Sequence, residues 1–250
     1  MSETRRLPEW YRDWFGEEYL ALYPHRDEEE ARDGVELVMQ HCGRVDGLVL
    51  DLACGAGRHM LHFRRLGVTP VGLDLSASLL RQARDLDSEM RLVRGDMRHL
   101  PFADSSFALV ANFFTSFGYF AEPEEDRRVL GEIRRVLRGG GCFALDFLNA
   151  QRVRDGLVPR DERKLGDRRV VQERRLEEDG RVVVKEIKIY GATADRPESV
   201  YFERVRLYEP DELVTLLRNA DLEPKHTFGD YTGGPACPDC ARYILIGYAT

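Results

Sequence analysis

One run of ten residues, Val49-Leu50-Asp51-Leu52-Ala53-Cys54-Gly55-Ala56-Gly57-Arg58, limits the fold more than any other part of the chain. Its apolar half is short enough to read as a strand buried on both faces. The Gly-x-Gly turn supplies the backbone freedom for a sharp reversal into a helix. The same alternation then repeats. Strands are predicted over 48–53, 69–73, 90–93, 107–113 and 142–147, with helices over 57–66, 77–86 and 124–137, the last stopped by Gly139-Gly140-Gly141. Helices between strands imply a doubly wound, mainly parallel α/β sheet, and right-handed crossovers line up the loops after the strands along one edge. A helix over 210–220 and two strands near 222–230 and 242–249 complete a seven-stranded sheet.

Two segments depart from this pattern. Residues 1–26 hold Trp10, Tyr11, Trp14, Phe15, Tyr19 and Tyr23, spaced for a short helix with one aromatic face; Asp27 opens a second helix that Gly43 ends. Residues 159–207 read as strands without helices, over 169–176, 181–190 and 199–207, the first two joined at Glu178-Asp179-Gly180.

Composition narrows the partners. With 37 basic against 44 acidic residues the net charge is −7, which gives no electrostatic reason to expect nucleic acid or an anionic membrane. No run approaches a membrane span and the N-terminus lacks the apolar stretch of a secretion signal. The odd count of five cysteines, at 42, 54, 142, 237 and 240, suggests reduced thiols and a cytoplasmic protein. Cys237-Pro238-Asp239-Cys240 has no second pair to complete a zinc site, so a plain loop is expected and no metal.

The chemistry concentrates at the strand ends. Asp74 ends the second strand 17 residues after Gly57, where an acid can accept hydrogen bonds from a ribose diol. A dinucleotide fold uses the same logic, but position 60, where its third glycine would stand, is Met60. Asp51, just before the glycine turn, would repel a pyrophosphate and suits the ammonium of an amino-acid tail. Together these favour S-adenosylmethionine over NAD.

On these residues the chain resembles the class I S-adenosylmethionine-dependent methyltransferases, over roughly 30–150 and again over 205–250. Asp51 to Gly57 resembles the family's first motif, Asp74-Leu75-Ser76 its ribose-binding acid, Gly95-Asp96-Met97 the adenine loop, and Leu137-Arg138-Gly139-Gly140-Gly141 the turn before strand 5, with Gly139 in place of the usual Pro. The resemblance implies the Rossmann-like methyltransferase fold, S-adenosyl-L-methionine as cofactor, and cofactor contacts from Tyr19, Arg26, Asp51, Ala53, Gly55, Gly57, Asp74, Leu75, Asp96, Met97 and Asn112. It divides the chain into lid helices (1–33), a cofactor-binding domain (34–150 and 208–250) and an antiparallel β insertion (151–207) that caps the substrate or forms a homodimer seam, as in amino-sugar N-methyltransferases. Thr115, Ser116, Asn149, Tyr201 and Arg204, with Arg206, are the substrate-facing candidates; Tyr119 and His226 are the candidate bases. The Asn/Asp-Pro-Pro-Tyr/Phe sequence of many DNA- and protein-amide methyltransferases is absent after strand 4. The expected activity is methyl transfer to N or O of a small molecule. A cofactor-binding scaffold without turnover is the alternative, and an NAD-dependent oxidoreductase is disfavoured by Asp51, Met60 and the final strand pair.

Overall fold

The computed structural model describes residues 9–23 and 28–250. Helices α1 (Trp10–Trp14), α2 (Glu17–Leu22) and α3 (Glu28–His41) precede the first strand, β1 (Leu48–Leu52). Then follow α4 (Arg58–Arg65), β2 (Thr69–Asp74), α5 (Ala77–Leu86), β3 (Arg91–Arg94), β4 (Phe107–Asn112), α6 (Pro123–Val136) and β5 (Leu137–Leu148). The second half comprises α7 (Ala150–Asp155), β6 (Arg160–Leu165), β7 (Arg168–Glu177), β8 (Val182–Tyr190), β9 (Ser199–Arg206), α8 (Pro210–Asn219), β10 (Leu222–Phe228) and β11 (Arg242–Ala249).

Val49, Leu50 and Leu52 of β1 are buried because the strand pairs in parallel with β2 on one side and β4 on the other. The seven-stranded order is β10-β11-β5-β4-β1-β2-β3, with β11 antiparallel to both neighbours. The direction of winding therefore reverses between β1 and β4, and a crevice opens beyond their C-terminal ends. One apolar layer joins Val35 and Val38 of α3 and Phe63 of α4 to Leu109, Ala144 and Ile246 of the sheet. The other joins Val129, Leu130 and Ile133 of α6 and Leu213 and Leu217 of α8 to Leu50, Val110 and Leu145. Each such side chain contributes on the order of 1.5–3 kcal/mol by leaving water.

The second sheet, β6-β7-β8-β9, is antiparallel throughout. Its first strand was not legible: Arg-Asp-Glu-Arg-Lys-Leu has no apolar alternation, and pairing with β7 alone makes it a strand. That charged free edge discourages strand addition by another chain. The N-terminal aromatics form two short helices rather than one, and α7, unforeseen, is capped by the Asn149 side chain, which accepts from Gln151 N and Arg152 N. Gly139-Gly140-Gly141 lies inside β5. Phe107 pairs with Leu137 and Leu109 with Cys142, so the glycines form a bulge, with φ +70° at Gly140.

The cysteines overturn the reduced-thiol expectation. Cys42, at the end of α3, is bonded to Cys142 on β5, 100 residues away, because α3 packs over that strand; Cys237 is bonded to Cys240 within the β10–β11 connection. Cys54 alone is free, and buried. Alkylated in denaturant without reductant, the protein should gain one label by mass, and five after reduction; five labels in both cases would contradict the pairing.

Asp126 of α6 has no exposed surface and its Oδ2 accepts the Tyr208 hydroxyl at 2.6 Å. Burial pushes this carboxyl up to about 6, against the opposing effect of the Tyr208 bond. The native state then holds a proton that the unfolded chain has released between about pH 4 and 6, so stability falls across that window. Asp126→Asn should match the wild type near pH 4 and exceed it by on the order of 3 kcal/mol at pH 7. Parallel stability curves from urea melts would exclude this.

Candidate active site

The crevice is a cavity of about 380 Å³ whose floor is made by the loops after β1, β2, β3 and β4. After β1 the chain must turn at once into α4. Ala53, Gly55 and Gly57 have φ of 60°, 55° and 81°, and the first two line the cavity with bare backbone. Gly57 faces away from it, where a Cβ would meet the Met90 Sδ at 2.7 Å. After β2, Asp74 accepts from Gly55 N at 2.9 Å through Oδ2 and from Ser76 N at 2.8 Å through Oδ1. It is 9% exposed and on the cavity wall. A carboxylate offers about four acceptor positions, so two stay available for a ligand diol. Leu75, Gly95, Asp96 and Met97 continue this wall. Arg98 grips Asp96 from Nη2 at 2.6 Å and reaches Glu125 at 2.5 Å. Burial would raise the Asp96 carboxyl, but the Arg98 hydrogen bonds outweigh it and hold the group below the usual carboxylate range.

Asp51 and Asn112 lie beneath the floor rather than on it. Asn112 donates to Leu52 O at 2.9 Å and locks β4 to β1 where the winding reverses. Asp51 is 1% exposed and its Oδ2 has no hydrogen-bond partner among the described residues. Burial first, and the neighbouring Asp74 second, push its carboxyl up to about 8, while Arg58 opposes them. A buried acid kept uncharged beside a glycine turn is ready for a cation brought to that turn.

The walls above the floor are aromatic. α1 and α2 with their flanks contribute Tyr11, Phe15, Tyr19 and Tyr23; the loop after β4 contributes Phe113, Phe114, Ser116, Tyr119 and Phe120. The two groups meet directly. Trp10 Nε1 donates to Tyr119 O at 3.3 Å, Phe15 and Tyr119 stack at 5.9 Å, and the Ser76 hydroxyl donates to Phe15 O.

A family model described as a methyltransferase domain matches residues 49–141, the span from the glycine turn into β5. The dTDP-3-amino-3,4,6-trideoxy-α-D-glucopyranose N,N-dimethyltransferase of Streptomyces venezuelae is 28% identical over 224 residues, which cover 87% of this chain and 89% of the relative. Among solved structures, an S-adenosylmethionine-dependent methyltransferase from Clostridium acetobutylicum ATCC 824 aligns with a TM-score of 0.80 at 16% identity over 92% of this chain and 97% of that one. The glycopeptide N-methyltransferase MtfA complexed with S-adenosylmethionine aligns with a TM-score of 0.59 at 25% identity over 88% of this chain and 94% of that one. Together these support a class I S-adenosylmethionine-dependent methyltransferase. Its cofactor is S-adenosylmethionine. The residues on and beneath the floor fit that molecule: bare glycine backbone for close approach, an acid with spare acceptor positions, and below them a buried carboxyl oxygen awaiting a partner.

Several residues expected at the site of this methyltransferase are elsewhere. Arg26 lies outside the described residues. His226 is on the outer strand β10, against His41 at 5.0 Å and Phe228, far from the strand ends that form the cavity. Thr115 is not on the wall; its backbone N–H donates to Asp146 O. Asn149 donates to Cys237 O and Pro238 O, both at 3.0 Å, and so anchors the disulfide loop. Tyr201 packs on Trp14 at 5.1 Å, Arg204 pairs with Glu178 and Phe120 O, and Arg206 with Glu178 and Ala121 O. No residue of β6 to β9 lines the cavity, because α1 and α2 stand between it and that sheet. Tyr11, Phe15, Glu28 and Arg58 do line it and were not singled out from sequence. Arg58 directly follows the glycine turn, a position that signalled it; Glu28 only tertiary packing brings in. Among the described residues no helix is long and apolar enough to cross a membrane.

Proposed function

We propose that the protein methylates an amine nitrogen of a small molecule, an amino sugar being the first class to test. The cavity wall carries this reading. Of the two candidate bases only Tyr119 is on it, and a neutral amine attacks through its lone pair without prior loss of a proton, whereas a hydroxyl would need a base in place. The similarity to the Streptomyces amino-sugar dimethyltransferase runs along most of both chains and supports the same class. A net charge of −7 supports a small molecule over nucleic acid.

When bound, S-adenosylmethionine supplies a methyl group activated by its sulfonium leaving group. In this reading Asp74 takes the ribose hydroxyls, Asp96, Leu75 and Met97 hold the base, and Ala53 and Gly55 let the amino-acid tail lie on the main chain. Asp51 favours the tail's ammonium by its field from below. The aromatic walls align the acceptor and exclude water, an effect worth on the order of 7–11 kcal/mol when alignment is complete. Ser116 and Tyr119 face the acceptor. So held, the cofactor would supply its methyl group to the amine's lone pair, and the amine's proton would pass to solvent.

Calorimetric titration with S-adenosylhomocysteine beside NADH tests the floor. Binding of the first alone is expected; binding of NADH alone would overturn the reading. Mass spectrometry of reactions with dTDP-linked 3-amino sugars and their 3-hydroxy counterparts then tests the acceptor, gain of 14 Da units on the amine only being expected (roughly one per methyl). The same titration carries a prediction for Asp51. The cationic tail favours its ionised form, so binding at pH 7 should release a proton, seen as dependence on buffer ionisation enthalpy, and affinity should rise with pH up to about 8. Asp51→Asn should remove both effects.

A further inference from the structure

The β insertion touches no part of the cavity, yet it grips the segment that closes it. Trp14, fully buried in α1, donates from Nε1 to Glu203 Oε1 of β9 at 2.7 Å. Glu203 also pairs with Lys185 of β8, and Lys185 Nζ reaches the Tyr23 hydroxyl at 3.4 Å. Further along, Arg168 of β7 holds both carboxylate oxygens of Glu18 at 2.8 and 2.9 Å. Arg163 of β6 donates to Leu22 O at 2.9 Å and lies 5.3 Å from the Tyr23 ring centre. All four insertion strands thus supply one polar or charged grip on α1, α2 or the residue after them. α1 and α2 carry Phe15, Tyr19, Leu20 and Tyr23 into the cavity wall, and these two short helices have 5 and 6 residues. Helices of that length do not hold their shape alone.

We propose that the insertion is a clasp for the cofactor lid, with Glu203 as its central positioning residue: by fixing Trp14 directly and Tyr23 through Lys185, it sets how long the cofactor is retained. This rests on the reading of the cavity as the S-adenosylmethionine site. It gives the insertion a role in cofactor residence, distinct from contact with the acceptor or from pairing of subunits.

The chain's only two tryptophans, Trp10 and Trp14, are both in the lid, so tryptophan fluorescence, excited beyond the tyrosine absorption band, reports on this segment alone. The test compares wild type, Glu203→Ala and Arg168→Met by acrylamide quenching of that fluorescence and by stopped-flow binding of S-adenosylhomocysteine. Glu203→Ala should make the tryptophans more quenchable and raise the ligand dissociation rate about tenfold with little change in association rate; Arg168→Met should do the same more weakly. Glu203→Asp should restore part of the retention. A substitution that merely loosened the fold would not confine its effect to dissociation and tryptophan exposure. Far-UV circular dichroism shows that each variant is folded. Folded Glu203→Ala with wild-type quenching and wild-type dissociation would overturn the clasp. A wild type that binds no S-adenosylhomocysteine would instead overturn the reading of the cavity, and the quenching comparison alone would then decide whether the insertion holds the lid.

Discussion

Asp146→Ala should destabilise the protein by about 3–5 kcal/mol, the range for removing one partner of a buried ion pair. Asp146 is 1% exposed at the end of β5, and three groups converge on its side chain. Arg242 of β11 donates to Oδ2 at 2.9 Å, Phe114 N donates to the same oxygen at 2.7 Å, the Tyr231 hydroxyl donates to it as well, and Arg242 makes a longer contact with Oδ1 at 3.3 Å. Arg242 also reaches Glu30 of α3 at 2.5 Å and lies 4.6 Å from the Phe114 ring centre. Burial alone would raise the Asp146 carboxyl, and Arg242 and Tyr231 oppose that. Alanine would leave the Tyr231 hydroxyl and the Phe114 amide without acceptors. It would also release Phe114 and Thr115 from the left-handed conformation, φ 56° and 57°, that turns the loop after β4 into the cavity. Such backbone costs about 1–3 kcal/mol per residue and persists only where its surroundings impose it. The expected readings are a lowered urea midpoint with unchanged slope and loss of methyl transfer out of proportion to cofactor affinity. A midpoint within experimental error of wild type would refute the network's role.

Asp74→Ala should weaken S-adenosylhomocysteine binding by about 2–4 kcal/mol, or roughly 30- to 700-fold in Kd, as two hydrogen bonds to a charged acceptor are lost. The same carboxylate orders the cavity floor by joining Gly55 N to Ser76 N across two loops, so the loss has an organisational part. Asp74→Asn separates the two. It keeps one acceptor oxygen and should recover part of the affinity, while Asp74→Ala should also lower the melting temperature. Titration calorimetry reads this directly, and an unchanged Kd in Asp74→Ala would remove the ribose assignment.

How much of this was legible in the sequence follows from the range of the forces involved. Strand, glycine turn and helix succeed one another within ten residues around Gly55, so backbone freedom and apolar periodicity declare them locally. Right-handed crossovers then bring the loops after the strands to one edge, while the order of the seven strands is set by their tertiary pairing. The floor residues Ala53, Gly55, Asp74, Leu75, Asp96 and Met97 were readable because each stands within three residues of a strand end. Contacts between distant segments carry no such local mark. The charged strand β6 exists only through its partner β7, and Cys42 meets Cys142 only because α3 crosses β5. His226, a candidate base from sequence, sits on the outer strand β10. Sequence by itself determined the α/β sheet, the cofactor and the line of cavity-floor residues at the strand ends, since these depend on short-range backbone geometry. A lid over 1–33 was already implied by the resemblance; only the tertiary structure decided that the β insertion grips its two aromatic helices from outside, because those contacts join groups 141 to 189 residues apart, held by packing and ion pairs with no periodic trace in the chain.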